Sequence, residues 1–373
     1  MSTSKASQGV LALVMVSLLL APTASTAQSN LTELNIGVLP YLDYQILYVA
    51  DEMGFDSELG YEFSFTQFPL EPNETRALVR GDIDIAQGAI GSLVSQLPAR
   101  PDLRVVVSGA QYKGFAFIIR KDSDIKTYSE LFAELGDHQQ ALEAVVDQMI
   151  GRELLTTESS YRATIAGLAA EGGHAYDELK VQNFAEATQA ATAFIRGTGD
   201  IYLGAVAQTE RLINQMDGYE ILIQNEEMGA PGLWYSNIYV TDAYLQENRR
   251  QLVELTAIWQ RTVRYMNEHT DEAYAIILEH LNPQTAGAMT VEDLKNQIPR
   301  TTFFPTTEEA AELVFDESSP SSWRALVNYQ FEQAEILGTD LSNVSADDFI
   351  AQDEIFAEFL ADDALQAFVN APF

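Results

Sequence analysis

A ten-residue pattern occurs twice along the chain, with six positions identical. Arg80-Gly-Asp-Ile-Asp-Ile-Ala-Gln-Gly-Ala89 and Arg196-Gly-Thr-Gly-Asp-Ile-Tyr-Leu-Gly-Ala205 share Arg-Gly-x-x-Asp-Ile-x-x-Gly-Ala at an offset of 116 residues, and Phe68/Phe184 and Ala77/Ala193 keep the same offset. A duplicated helix–turn–strand–turn unit predicts two similar α/β lobes. In each copy the glycine after Arg ends a helix, the Asp-Ile run enters a buried strand, and the Gly-Ala pair opens the next helix. A small residue there lets a ligand approach the backbone, and the helix start offers free N–H groups. Ligands of open α/β sheets bind outside the carboxyl ends of strands. Helix–sheet packing alone would also explain one such pair; its duplication favours a binding role.

Around both copies, short β-branched runs alternate with amphipathic helical stretches, as in doubly wound sheets. Strands are expected at residues 34–38, 61–65, 83–86, 104–107, 115–119, 180–183, 201–203, 220–223 and 237–240, with a helix over 44–53 ended by Gly54. After residue 241 the pattern changes. Leu245, Leu252, Leu255, Ile258, Trp259, Val263 and Met266 recur at helical spacing, and a helical C-terminal part follows. Trp259 and Trp323 fall within that periodicity and are expected in the core.

With 373 residues, the chain is longer than one hydrophobic core usually supports. Its 55 Asp and Glu against 21 Lys and Arg leave a formal charge of −34, which makes nucleic acid and anionic membranes poor partners. Cysteine is absent, which excludes disulfides, thiolate nucleophiles and Cys-ligated metals. His138, His174, His269 and His280 are too far apart for a helical metal pair, so no metal and no cofactor is expected. No Walker loop or nucleophile elbow occurs. Residues 1–27 carry Lys5, an apolar run over 10–21 and small residues up to Ala27, the pattern of a secretory signal peptide. That run is too short for a transmembrane anchor. No cysteine follows it for a lipid anchor, and a free exported protein of the periplasm is expected.

Asn35-Ile-Gly-Val-Leu-Pro-Tyr41, Leu47-Tyr-Val-Ala-Asp-Glu-Met-Gly-Phe55, Ala77-Leu-Val-Arg-Gly-Asp-Ile-Asp84 and Ile118-Ile-Arg-Lys-Asp-Ser-Asp-Ile-Lys-Thr127 follow one another in a telling order. In that order they resemble the periplasmic solute-binding proteins of nitrate/sulfonate/taurine-type ABC importers, a group with relatives that bind thiamine-pyrimidine precursors. The resemblance covers most of residues 34–281. It implies a type 2 periplasmic binding protein, with two Rossmann-like lobes and a two-crossover hinge. Such a protein is a monomer and not an enzyme; it closes over a small-molecule ligand and passes it to an ABC permease and ATPase complex in the inner membrane. On this template lobe one holds residues 31–113 plus 231–373 and lobe two holds 114–230. The crossovers are Gln111-Tyr-Lys-Gly114 and Ala230-Pro-Gly-Leu-Trp-Tyr235. Glycine beside bulky aromatics suits a hinge next to a cleft, although Pro231-Gly232 equally suits a plain turn.

Carried over by position, the resemblance implies a pocket of Pro40, Tyr41, Asp43 and Tyr44 after the first strand, and Gln87, Gly88 and Ala89 after the third. Lobe two would add Ser160, Tyr161 and Arg162, where Glu158 replaces a family glycine, together with Gly204 and Ala205. Tyr112, Trp234 and Tyr235 come from the crossovers. Aromatic side chains suit the task because they present rigid apolar area with a polar handle. Tyr48, one helical turn beyond Tyr44, is expected in the core.

The charge of the ligand stays open at this level. Arg162 or Lys113 could clamp a sulfonate, carboxylate or phosphate, whereas Asp43 with the aromatics could hold a cationic or neutral heterocycle. Two other functions are compatible with the fold: a sensor docking on a signalling receptor, or an enzyme related to pyrimidine-precursor synthesis. The latter uses a cysteine-rich motif, which this chain lacks.

Overall fold

Val38, Ile36 and Leu34 alternate with residues facing the other way, and the same period-2 pattern recurs along the chain to build two sheets. The computed structural model describes residues 31–157, 161–204, 206–285, 289–319 and 321–373. The segment read as a signal peptide, and Glu158, Ser160 and Ala205, lie outside the described residues. The strands are β1 (Thr32–Val38), β2 (Tyr61–Gln67), β3 (Ala86–Ala89), β4 (Leu103–Tyr112), β5 (Ala116–Arg120), β6 (Glu153–Thr156), β7 (Lys180–Asn183), β8 (Ile201–Leu203), β9 (Tyr219–Gln224), β10 (Tyr235–Thr241) and β11 (Thr302–Phe303).

The first sheet starts with β2 and β1, parallel from Thr32 opposite Tyr61 to Val38 opposite Gln67. Ile36 bridges Ile85 just ahead of β3, and β3, β10, β4 and β11 continue in antiparallel pairs. The second sheet runs β7-β6-β8-β5-β9, with β6 parallel to β7 and β8, and β5 antiparallel to β8 and β9. Both follow one plan. In each, parallel strands are followed by an antiparallel strand that has just arrived from the other sheet: β10 in the first, β5 in the second.

Matched residues of the repeat do matched work. Gly81 and Gly197 take positive φ of 75° and 95°, the conformation that suits glycine at a helix end. The N–H groups of Asp82 and Thr198 then donate back to the carbonyls of Ala77 and Ala193, both at 3.0 Å. Phe68 donates to the Val38 carbonyl at 2.9 Å and Phe184 to that of Thr156 at 2.8 Å.

Differences from the sequence expectation have local causes. The strand expected at 83–86 begins at Ala86, because Asp84 and Ile85 are engaged with Asn35 before the ladder with β10 starts. No strand was expected at Glu153–Thr156, where only two residues are apolar, yet β6 is interior to its sheet. Its Leu154 and Leu155 are buried in cores on opposite faces. Tyr44 sits in a short 3-10 turn (Leu42–Tyr44) ahead of the helix Ile46–Glu52.

Apolar layers cover both faces of the second sheet: Phe117 and Ile119 join one, Ala116 and Ile118 the other. The core of the first sheet is completed by C-terminal helices, which bury Trp259 and Trp323 as expected. Trp259 comes from the helix Asp242–Glu268 and lies against Gly109 of β4, where a Cβ would overlap the indole. Among the described residues no helix is long and apolar enough to cross a membrane.

Candidate functional site

The chain passes between the sheets twice, and the two passages lie side by side. Tyr112, the last residue of β4, donates its N–H to the Trp234 carbonyl at 2.8 Å, and Tyr235 pairs with Gln111. Buried Asn225 fastens the second passage by donating from Nδ2 to the Gly232 carbonyl at 2.6 Å. Four rings gather beside these passages. Phe115 meets Tyr112 and Trp234 edge-on with centroids 4.8 Å apart and Tyr161 at 5.3 Å, and Tyr161 stands 6.3 Å from Trp234. Ala89, at the end of β3 in the first sheet, belongs to the buried apolar cluster of the second sheet that also holds Phe115, Tyr161 and Trp234. The carboxyl end of a first-sheet strand therefore abuts the aromatic face of the second sheet. Phe115 was not among the expected site residues, because its position next to an apolar run reads as strand core.

On the first-sheet side, Tyr41 and Tyr44 pack edge to face at 6.1 Å. Between them in sequence lies Asp43, only 6% exposed. Burial pushes its carboxyl up to about 6, against the opposing effect of its own backbone N–H and the Ser236 hydroxyl. Gln87 is fully buried and donates from Nε2 to the Tyr44 carbonyl at 3.1 Å, which ties the β3 end to this turn. The Tyr112 phenol is pushed well above its ordinary value, first by burial and then by the negative charges of Asp43 and Glu210. Those carboxylates come from opposite sides, Asp43 from the turn after β1 and Glu210 from the helix Val206–Glu210 after β8.

The repeat's glycines and amides serve the protein itself. A Cβ on Gly88 would stand 3.1 Å from the Tyr239 ring, and one on Gly204 would overlap the Tyr202 ring. Both glycines make room for a tyrosine, so packing explains them. Nor are the backbone donors of the first copy free. The Gln87 N–H donates to Glu74 Oε1 at 2.9 Å and the Ala89 N–H to Glu71 Oε1 at 3.1 Å. Both carboxyls come from the helix Glu71–Arg80 and are buried, and burial holds Glu74 well above the usual carboxylate range.

Other expected residues lie apart from this group. Tyr235 is buried in the first-sheet core and donates its hydroxyl to the Ser321 carbonyl at 2.5 Å. Trp234 and Tyr235 pack in different apolar cores, so they do not share a cleft. Exposed Arg162 lies over the Tyr176 ring at 5.1 Å, and the Lys113 ammonium is 5.5 Å from the Phe303 centroid. Tyr48 stacks on His280 at 3.8 Å within the core. Among the described residues no group of His, Asp and Glu could hold a metal ion.

Residues 27–279, more than half of the chain, match the model of the NMT1-like family. The chain belongs to the NMT1-like family. Comparison with curated proteins finds no match. Solved structures similar to this NMT1-like chain include the periplasmic aliphatic sulphonate binding protein SsuA from Escherichia coli, with a TM-score of 0.65 and 14% identity over 86% of this chain and 92% of that one. The periplasmic nitrate-binding protein NrtA from Synechocystis PCC 6803 gives 0.61 and 11% over 91% of each chain. The desulfurization enzyme DSZB gives 0.56 and 14% over 88% and 99%. At such identities the likeness is one of fold, and the NMT1-like chain has the periplasmic binding protein fold. The resemblance drawn from its strand and turn motifs holds for family and architecture.

Proposed function

We propose that this NMT1-like protein is an extracytoplasmic solute-binding component of an ABC importer. In this reading residues 31–113 with 231–373 form one lobe and 114–230 the other, joined by the paired passages at Tyr112 and Trp234. A small solute is captured where the lobes meet and delivered to a permease and ATPase complex in the inner membrane. Export through the signal pattern of residues 1–27 places the monomer in the periplasm. The aromatic group of Tyr112, Phe115, Tyr161 and Trp234 carries this reading, because it stands beside both passages and against the end of β3. Rings at such a position grip a ligand at little entropic cost, and paired crossovers permit the rigid-body closure that captures it.

Binding rather than catalysis is the better reading although DSZB shares the fold, since fold alone does not carry chemistry. The test is a thermal-unfolding screen of the mature chain against small amines, heterocycles, sulfonates and nitrate. A saturable rise in melting temperature with one class, and recovery of that compound unchanged, is expected. Conversion of the bound compound to a product would refute the binding-only reading.

A further inference from the structure

Resting on the solute-binding reading, the residues at the sheet junction also narrow the class of solute. We propose that the cleft takes a small organic cation, an ammonium or amidinium group held by the Asp43 carboxylate beside the rings of Tyr41, Tyr44 and Tyr112.

Three independent observations converge. The first is charge. Asp43 is buried at the turn after β1, and among the described residues no cationic side chain is paired with it: Lys113 lies over Phe303, Arg162 over Tyr176, and Arg300 is engaged 3.1 Å from Glu210. A buried carboxylate without a cationic partner is costly, and a cationic ligand would supply that partner.

The second is the fate of the backbone donors. An oxyanion in a fold of this kind needs N–H groups or guanidinium forks. Glu71 and Glu74 already accept the N–H groups of Ala89 and Gln87, and their carboxyls stand where an anion would have to come. A sulfonate or nitrate there would meet carboxyl groups already engaged with the amides it would need and, among the described residues, no cation to balance it.

The third is a pair of buried acceptor atoms left over, on Gln87 and Asn225. Gln87 is fully buried, and its Nε2 is used on the Tyr44 carbonyl while its Oε1 has no partner. Asn225, beside the second passage, likewise spends its Nδ2 on Gly232 and leaves Oδ1 without a partner. Both leftover atoms are acceptors. A ligand rich in N–H donors satisfies them; an acceptor-only anion does not. The surrounding tyrosine faces add attraction for a cation.

Isothermal titration of the mature chain with putrescine, benzamidinium, 4-aminopyrimidine, methanesulfonate and nitrate tests this. At least one of the two cations should bind saturably, and more tightly than the other three. Asp43→Asn, which keeps the side-chain shape, should weaken that binding at least ~10-fold, the loss of one buried charge-assisted contact. The ranking in the unaltered chain decides the matter even should the variant not fold. Tighter binding of methanesulfonate, nitrate or neutral 4-aminopyrimidine overturns the cation assignment and leaves the solute-binding reading standing. Unchanged cation affinity in a folded Asp43→Asn protein also overturns it. Binding of none of the five overturns both.

Discussion

Asp84 and Asp200 hold equivalent places in the two sheets: each accepts, through one carboxylate oxygen, the N–H of a residue on the neighbouring strand, Asn35 at 2.8 Å and Glu153 at 2.9 Å. The exchange is two-way, since the N–H of Asp84 donates to the Asn35 carbonyl at 2.7 Å and that of Asp200 to the Glu153 carbonyl at 2.8 Å. The repeated Asp thus locks the strand entry of β3 and β8 onto β1 and β6. Replacing either by Ala leaves a backbone donor unpaired. Asp84→Ala and Asp200→Ala should each cost about 1–3 kcal/mol in urea unfolding, with Asn at either position losing less because its amide oxygen still accepts. Losses under about 0.5 kcal/mol in both Ala variants would show the repeat to be idle in this role.

Stability of the ligand-free protein should rise as pH falls from 8 to 5. The Asp43 carboxyl is pushed from an ordinary value of 3.8 up to about 6, and Glu74 is raised by burial as well. Between these values the folded chain binds more protons than the unfolded chain. The stabilisation is present on the acid side of this window and lost as pH climbs through about 6. For Asp43 alone a rise of this size corresponds to about 3 kcal/mol below pH 3.8, of which about half develops between pH 8 and pH 5. Thermal unfolding at both pH values measures that part, and Asp43→Asn should flatten the dependence. Equal or lower melting temperature at pH 5 than at pH 8 would contradict the burial of these carboxyls.

Trp234 is the tryptophan at the sheet junction, whereas Trp259 and Trp323 are buried in the first core. Ligand binding should therefore change fluorescence through Trp234. Trp234→Phe should abolish the change and Trp259→Phe should keep it. A signal that survives the first substitution would move the binding site elsewhere.

Gly109→Ala should destabilise the fold by about 1–3 kcal/mol, because its methyl overlaps the Trp259 ring, which is buried and has no room to retreat. Calorimetric unfolding measures the loss. Gly60→Ala, where nothing lies within 4 Å, has no such clash and pays only for its φ of 89°. A smaller loss at Gly109 than at Gly60 would contradict the packing described.

Much of the architecture was legible before any coordinates. The duplicated Arg-Gly-x-x-Asp-Ile-x-x-Gly-Ala motif announced two equivalent units, since its glycines end helices through local bonds while its Asp residues make the same bond to a neighbouring strand in each copy. Strand β6 escaped notice because four residues with two leucines carry no period, and only β7 and β8 on either side make it a strand. Of the residues expected in a pocket, Tyr112, Tyr161 and Trp234 stand with Phe115 beside the passages, and Tyr41, Asp43, Tyr44 and Gln87 gather at the turn after β1. Arg162 and Tyr235 join neither group, because side-chain direction on a helix or strand depends on what each face packs against.

The α/β class, twofold repetition and family belonging all follow from the order of residues in this chain, since each depends on patterns a few residues long. What occupies the space at the junction does not. Nothing in the sequence singles out Glu71 and Glu74, yet the packed structure buries them and turns them onto the amides of Ala89 and Gln87. That contact spans 13 and 18 residues of chain and crosses from helix to strand. Only tertiary packing brings such groups within 3 Å, and only then does the electrostatic character of the cleft exist to be read.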